Sequence, residues 1–292
     1  MERNLQTASR GADEELQAHP RATTRAGASA TASSSPDRAT PTVLSGANGG
    51  SAAPGLSALR ERSLARGVNP VLYRIVRAVL LPFFLLYFRL ERIGREYVPG
   101  SGAVLLASNH RSFLDPFVIG ALAKRPVYYM AKRELFERRW QAWLLNGLGA
   151  FPVDRGAGDE HAMDTARAIL ERGDCVVIFP EGTRVRPGPL GDPHRGVGRL
   201  ALQTGARVVP VAVMGTEDVR RGWRVRPRKV TLRCGRALGF PVAERPSPSM
   251  ALGVAERIWA CVSLQWEWLG GVGPANGDES LLHTSERRAR AA

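Results

Sequence analysis

Large apolar residues are almost absent from the first 58 positions and then arrive abruptly. The stretch "SATASSSPDRATPTVLSGANGGSAAPG" is Ala, Ser, Thr, Gly and Pro with little to bury, so residues 1–66 read as a disordered tail. Residues 70–90, "PVLYRIVRAVLLPFFLLYFRL", reverse the pattern. Their uninterrupted apolar run, 78–88, has 11 residues, whereas a membrane-spanning helix needs roughly 20. Arg74, Arg77 and Arg89 flank the run and Pro82 lies inside it, which suits a helix lying in a membrane interface. A core helix and a true span remain open alternatives. This part of the chain, 67–100, is expected to associate with a membrane.

From about 102 the pattern alternates. Strand-like runs fall at 103–108, 127–131, 150–153, 175–180, 207–215 and 229–234. Helix-like stretches fall between most of them, at 116–124, 133–147, 159–172 and 196–204. In "DEHAMDTARAILERG", Ala162, Ala166, Ile169 and Leu170 share one helical face; acidic residues open the stretch and Arg172-Gly173 close it. Such alternation predicts an α/β domain over 101–245, with a mixed, largely parallel central sheet flanked by helices. A last helix, 246–270, carries Trp259, Trp266 and Trp268, which either seal the domain or touch lipid headgroups. Residues 271–292 read as a second disordered tail.

Charge constrains the partners. The net charge is +14, and residues 1–66 contribute only +2 of it (8 Lys+Arg against 6 Asp+Glu). The basic surface therefore belongs to the folded part and predicts an acidic partner: nucleic acid, anionic lipid or a phosphorylated substrate. No nucleic-acid motif is present, and the aromatics do not interleave with basic residues as stacking platforms do. Cys175, Cys234 and Cys261 have no metal-ligand spacing and their odd number argues against a disulfide framework. The five histidines show no ligand spacing either, so no metal is expected. The N-terminus lacks a signal-peptide apolar core, which makes the cytoplasm the default compartment.

Four strand ends carry candidate chemistry, where α/β sheets gather function. In "SNHRSFLDPF", His110 and Asp115 meet only if the chain turns between them. Asp115-Pro116 supplies a helix start, with Asp115 as N-cap and Pro116 at the first helical position. The pair is then either a plain helix start or a histidine oriented by a carboxylate to take a proton from a hydroxyl. "GAFPVDR" ends in Arg155, whose planar fork of donors suits phosphate or is merely a solvated charge. "VVIFPEGTRV" runs into Glu181, Gly182, Thr183 and Arg184, either a ligand-binding turn or a surface turn closed by an ion pair. In "VVPVAVMGT", Pro210 disfavours a central strand and points to an edge, a bulge or a cleft wall. No G-x-S-x-G elbow of a serine hydrolase occurs.

In this order the four blocks resemble those of the glycerolipid acyltransferases, including the 1-acylglycerol-3-phosphate acyltransferases. The resemblance covers about residues 100–216. It implies that His110 is a general base oriented by Asp115, and that Arg155, Glu181, Gly182, Thr183 and Arg184 hold the lysophospholipid. Pro210 would lie near the cleft. Lys132, in "YYMAKREL", would face the oxyanion formed at a thioester carbonyl; its other reading is a snorkelling strand-end lysine. The implied reaction moves a fatty acyl group from acyl-CoA or acyl carrier protein to 1-acyl-sn-glycerol-3-phosphate, giving phosphatidate, without a cofactor. The implied setting is the cytoplasmic face of an anionic membrane. Val185 stands where many relatives have Ser, which bears on the acceptor headgroup. A thioester hydrolase and a non-enzymatic lipid-binding module are the rival classes.

Overall fold

The computed structural model describes residues 55–154, 159–185, 188–221 and 224–272. Its centre is a seven-stranded sheet in the order β1-β9-β6-β2-β5-β3-β4. The strands are β1 (Glu91–Ile93), β2 (Val104–Ser108), β3 (Val127–Lys132), β4 (Ala150–Val153), β5 (Cys175–Ile178), β6 (Arg207–Met214) and β9 (Thr231–Cys234). Every pairing is parallel except β6 with β9. A separate two-stranded ribbon joins β7 (Arg220–Arg221) to β8 (Arg224–Val225). The mixed, largely parallel sheet read from the alternation is therefore the fold. β2 and β5, with every residue buried, are the continuous apolar strands that a sheet covered on both faces requires.

Helices cover both faces. On one lie α2 (Pro70–Tyr87), α3 (Asp115–Leu122) and α4 (Arg139–Gly147), packed on Val104, Leu106, Val177, Val209 and Val211. On the other lie α5 (Glu160–Glu171), α6 (Gly196–Thr204) and α7 (Pro248–Trp268), packed on Leu105, Ala107, Val176, Val208 and Ala212. The period-2 alternation of β2 thus distributes its side chains between two cores. Gly198 lets α6 and α7 touch, since a Cβ there would come within 2.0 Å of the Ala251 carbonyl oxygen.

Several expectations need correction. Residues 56–65, placed in the tail by composition, form helix α1 (Leu56–Ala65). Leu59 is buried, and Asn146 donates to the Leu59 carbonyl (3.0 Å) and the Ser63 hydroxyl (2.7 Å), fixing α1 to the end of α4. Residues 1–54 and 273–292, the rest of the two tails, lie outside the described residues. The helix expected over 133–147 is divided into a 3₁₀ turn, Arg133–Phe136, and α4, because Phe136 turns into the core and Arg138 is extended. β1 lies inside the stretch read as purely helical.

The core-helix reading of α2 is also overturned. Phe84 is its one buried residue, while Val71, Ile75, Val79 and Leu86 are 61%, 58%, 64% and 80% exposed. Its inner face packs on the core through Leu80, Leu81 and Phe84, and with Pro116, Phe117 and Gly120 of α3 it lines an apolar cavity. Asn69 caps it by accepting from Val71 and Leu72 N–H, both at 3.1 Å, with Pro70 at the first position. By length and composition α2 is apolar enough to cross a membrane.

Pro210 is not on an edge. It sits in β6 between β2 and β9, opposite Ala107. Val211 pairs with Cys234 and Val208 bridges Leu238, so three steps along β6 face four along its neighbour. The extra residue is a bulge, and the missing proline N–H falls there, with the Pro210 carbonyl accepting from Gly235 (2.9 Å). Of the tryptophans, Trp259 and Trp266 seal the domain, whereas Trp268 is exposed under the Arg233 guanidinium. The three cysteines are free; burial pushes Cys175 and Cys234 up to about 12, as inert core thiols.

Candidate active site

The carboxyl end of β2 is held before it delivers its histidine. Asn109 extends the ladder with its side chain: its amide donates to the Val213 carbonyl (3.0 Å) and accepts from Val213 N–H (2.8 Å). His110 follows with its main chain fixed on both sides. Its N–H donates to Glu181 Oε2 (2.7 Å) and its carbonyl accepts from Val185 N–H (2.9 Å). Both partners belong to the loop after β5, so two crossing loops define where the imidazole starts.

The ring is fixed next. Nδ1–H donates to Asp115 Oδ2 at 2.8 Å, and the ring stacks on Phe179 with centroids 4.0 Å apart. Asp115 is fully buried. Its Oδ2 also accepts from the Arg111 and Ser112 N–H groups (2.6 and 2.7 Å), and its Oδ1 accepts from the Thr216 hydroxyl (2.6 Å). Four donors therefore satisfy a buried carboxylate that would otherwise be costly. With Nδ1 committed to Asp115, Nε2 is the nitrogen left for a reacting group, and His110 lines a cleft of about 960 Å³.

Two details of this turn differ from the expectation. Asp115 is itself the first residue of α3, and Leu114 is the N-cap with no side-chain cap bond. The carboxylate reaches backward to the amides of 111 and 112, so it closes the preceding loop instead of capping the helix. The far end of α3 is anchored by three arginines. Arg77, Arg92 and Arg95 donate to the carbonyls of Gly120 (2.7 Å), Ala121 (3.1 Å) and Leu122 (2.8 Å). These satisfy the orphan carbonyls of the last turn and place cations at the negative helix end.

Glu181 faces inward. It is 4% exposed, with Oε2 on His110 N–H and Oε1 on Gly191 N–H (3.0 Å). Burial raises its pKa, against the lowering effect of those amides and of Arg111 and His110. It lines the cleft, but both oxygens are engaged by backbone. Gly182 has φ +66, and a Cβ there would lie 2.9 Å from the His194 ring, so only glycine fits beneath that histidine. Thr183 is exposed at the cleft, and Arg184 is exposed beside it. Lys132, at the end of β3, lines the cleft half-exposed with Nζ 4.0 Å from Glu134. Arg155 lies outside the described residues, between Asp154 and Asp159, which both line the cleft. Pro210 is buried in β6 and is not among the cleft residues.

Sequence reading missed Thr216, Asn109, Phe179 and Arg111. Arg111 donates to the Gly188 (2.6 Å) and Pro189 (3.3 Å) carbonyls and lies over Trp266, tying the glutamate loop to α7. Thr216 closes the very "VPVAVMGT" block in which only the proline drew notice. The cleft also has an apolar lining, from Met130, Val153, Met163, Val197 and Leu252.

A histidine oriented by a buried carboxylate, in a cleft lined by Lys132, Arg195 and Arg199 and by apolar side chains, is an arrangement able to take a proton from a hydroxyl. Comparison with known proteins agrees. A family model described as Acyltransferase matches residues 89–214. A 1-acyl-sn-glycerol-3-phosphate acyltransferase of Pseudomonas aeruginosa is 31% identical over 179 residues, 60% of this chain and 68% of that protein. The chain therefore belongs to the acyltransferase family. A lyso-ornithine lipid O-acyltransferase of the same organism is 33% identical over 169 residues, 55% of this chain and 61% of that protein. The crystal structure of the 1-acyl-sn-glycerophosphate acyltransferase PlsC from Thermotoga maritima covers 70% of this chain and 92% of its own. With a TM-score of 0.47 and 20% identity, that likeness carries no argument here. The chain spans only 38% and 60% of the length of two further curated relatives.

Proposed function

We propose that the protein transfers a fatty acyl group from a thioester, acyl-CoA or acyl carrier protein, to the free hydroxyl of a lysolipid. The first candidate acceptor is 1-acyl-sn-glycerol-3-phosphate, giving phosphatidate. The observation that carries this reading is the buried His110–Asp115 pair facing the cleft. His110 Nε2 takes the hydroxyl proton, and the oxygen attacks the thioester carbonyl. Asp115 stabilises the imidazolium that forms. The attack makes the C–O bond of a tetrahedral intermediate; its collapse re-forms the carbonyl and breaks the C–S bond, and the proton passes from His110 to the leaving thiolate. The step balances without a cofactor. Lys132 serves the developing oxyanion, a role its place at the cleft supports. Thr183, Arg184 and Arg155 receive the anionic headgroup, with Gly182 giving it backbone access. Glu181 acts by holding the His110 peptide.

The protein works at a membrane, α2 lying in the interface. An 18-residue helix is about 27 Å long, short of the roughly 30 Å hydrocarbon core, and its inner face already packs on the core through Leu80, Leu81 and Phe84. The cytoplasmic face of an anionic membrane supplies the lysolipid and both donors.

A second acceptor, lyso-ornithine lipid, is favoured by the 33% identical relative. The test is acyl transfer by the purified protein across a panel of lysolipids, with donor consumption followed in parallel. Product formed from lysophosphatidate faster than from the other acceptors supports the first reading. Dominant transfer to lyso-ornithine lipid supports the second. Donor consumed at the full rate without any acceptor would make the protein a thioester hydrolase.

A further inference from the structure

The most concentrated charge on the protein lies outside the catalytic cleft. Six of the ten residues from Arg220 to Lys229 are Arg or Lys, and none is acidic. Arg220, Arg221, Arg224 and Val225 form the β7–β8 ribbon, and an irregular segment from Arg226 leads into β9. None of the described residues among them lines the cleft. Arg224, Arg228 and Lys229 are exposed, and between Arg224 and Arg226 stands Val225, 47% exposed.

The position of this segment is informative. The Tyr87 hydroxyl, at the last residue of α2, donates to the Val225 carbonyl (3.1 Å). The basic segment thus adjoins the end of the helix whose outer face exposes Val79, Phe83 and Leu86. On its other side the Arg220 guanidinium lies 5.8 Å from the centre of the Phe113 ring, three residues after His110. Apolar helix, basic segment and catalytic loop are therefore in contact in that order.

The geometry points to Arg220, Arg224, Arg226 and Arg228 as an anionic-headgroup contact that presses the α2 side of the domain onto negatively charged bilayer. This deepens the membrane reading given above and rests on it. An acidic carrier protein would use the same charges. Continuity with an exposed apolar helix face, and an exposed valine among the arginines, favour lipid, where apolar groups enter and cations meet the headgroups. One consequence is that the catalytic loop is brought to the surface from which a lysolipid must be lifted.

The test is co-sedimentation of the whole protein with two kinds of vesicle, phosphatidylcholine alone and an equal mixture with phosphatidylglycerol. Three proteins are compared: the natural chain, Arg224→Gln/Arg226→Gln/Arg228→Gln, and Ile75→Glu/Leu86→Glu on the outer face of α2. Melting temperature controls for folding. Neutralising three arginines near the headgroups should weaken binding to the anionic vesicles on the order of a hundredfold, and leave binding to neutral vesicles unchanged. Rising sodium chloride should weaken the natural chain and not the triple variant. The α2 variant should lose both vesicles. Anionic-vesicle binding by the triple variant equal to that of the natural chain overturns the proposal. If the α2 variant still fails to bind, the membrane reading itself stands. Retained vesicle binding with lost affinity for acyl carrier protein assigns the segment to a protein partner and also overturns it.

Discussion

Glu181 and Arg184 are three residues apart in one loop, yet they belong to different kinds of structure. Glu181 is buried, with a backbone amide on each oxygen. Arg184 is exposed, as is Thr183 beside it. The same division runs through the whole site. Groups that set the geometry of His110 are dry and multiply bonded; the groups proposed to receive the headgroup, Thr183 and Arg184, are exposed to solvent. The first set is organised before any ligand arrives, which is what proton transfer needs. The second can follow the shape of different headgroups, which fits a family whose members accept different lysolipids. Substitutions in the first set should therefore lower turnover, and those in the second should raise KM.

The largest effect separates chemistry from binding. His110→Ala should lower kcat on the order of a thousandfold, within the range for loss of a general base, with acceptor KM little changed. A single-turnover transfer assay measures it. A loss below about tenfold would remove His110 from the proton path.

Glu181→Gln comes next and should act through position. One amide N–H of His110 or Gly191 would then face an NH₂ group instead of an oxygen. An unsatisfied buried donor costs about 1–3 kcal/mol, so the melting temperature should fall along with kcat, by tenfold or more. Stability against pH gives a second reading. Burial raises the Glu181 pKa, so the folded chain holds this proton to higher pH than the unfolded chain does. Its contribution to stability declines as pH rises above the ordinary carboxylate range. The Glu181→Gln chain lacks that slope. Chemical denaturation between about pH 4 and 7, a range around and above the usual carboxylate value, compares the two.

Thr216→Val tests how far the organised region extends. It removes one of four donors to Asp115 and leaves Oδ1 buried without its partner. We expect roughly a tenfold loss in kcat with KM unchanged, and recovery by Thr216→Ser, because a hydrogen bond to a charged group is worth about 1.5–3 kcal/mol. Equal loss in the serine variant would mean that packing, and not the hydroxyl, matters there.

This division also explains what could be read from the sequence. Strands β2 to β6 were visible because burial on both faces leaves unbroken apolar runs. His110 and Asp115 stood out because a polar cluster interrupted such a run. Thr216 and Asn109 did not, since their partners are more than a hundred residues distant in sequence and threonine or asparagine at a strand end is commonplace. Glu181 was visible as a residue, and its backbone partners were not. Helix α1 was hidden by composition: "LSALRERSLA" has little amphipathic pattern, and its order comes from tertiary contacts at Leu59, Ser63 and Arg60. Of the three readings of Pro210, an edge, a bulge or a cleft wall, the structure shows the bulge; the sequence left them open because the extra residue lies in the neighbouring segment.

On the wet side, Arg184→Gln should raise the acceptor KM about tenfold and leave kcat within twofold, the loss of one charge-assisted contact to a phosphate partly screened by solvent. A neutral-headgroup lysolipid should show no such change. If kcat fell instead, Arg184 would belong with the organised set and the division would fail at its clearest point.

The smallest effect concerns a residue that bridges the two regions. Arg60, on α1, donates to the Pro152 carbonyl (3.1 Å) and pairs with Asp159. Asp159 in turn accepts from Asp154 N–H (2.8 Å) and caps α5 through Ala162 N–H (3.0 Å). One arginine thus ties both ends of the segment that carries Arg155 to a helix outside the sheet. Burial alone would raise the Asp159 pKa, but the two amides and Arg60 outweigh it and lower the pKa. Stability from this carboxylate is therefore present above the ordinary Asp range and is lost as pH falls below it. Arg60→Gln removes a largely buried ion pair and the bond to the Pro152 carbonyl, so it should cost roughly 1–3 kcal/mol at neutral pH, and less in acid where Asp159 is protonated. Its kinetic signature should be roughly a two- to fivefold rise in acceptor KM with kcat unchanged, about 0.5–1 kcal/mol, because Asp154 and Asp159, which line the cleft, lose their common tie. A fall in kcat without a change in KM would mean that α1 supports the His110 side of the cleft, and that the two regions are joined through the sheet and not divided at it.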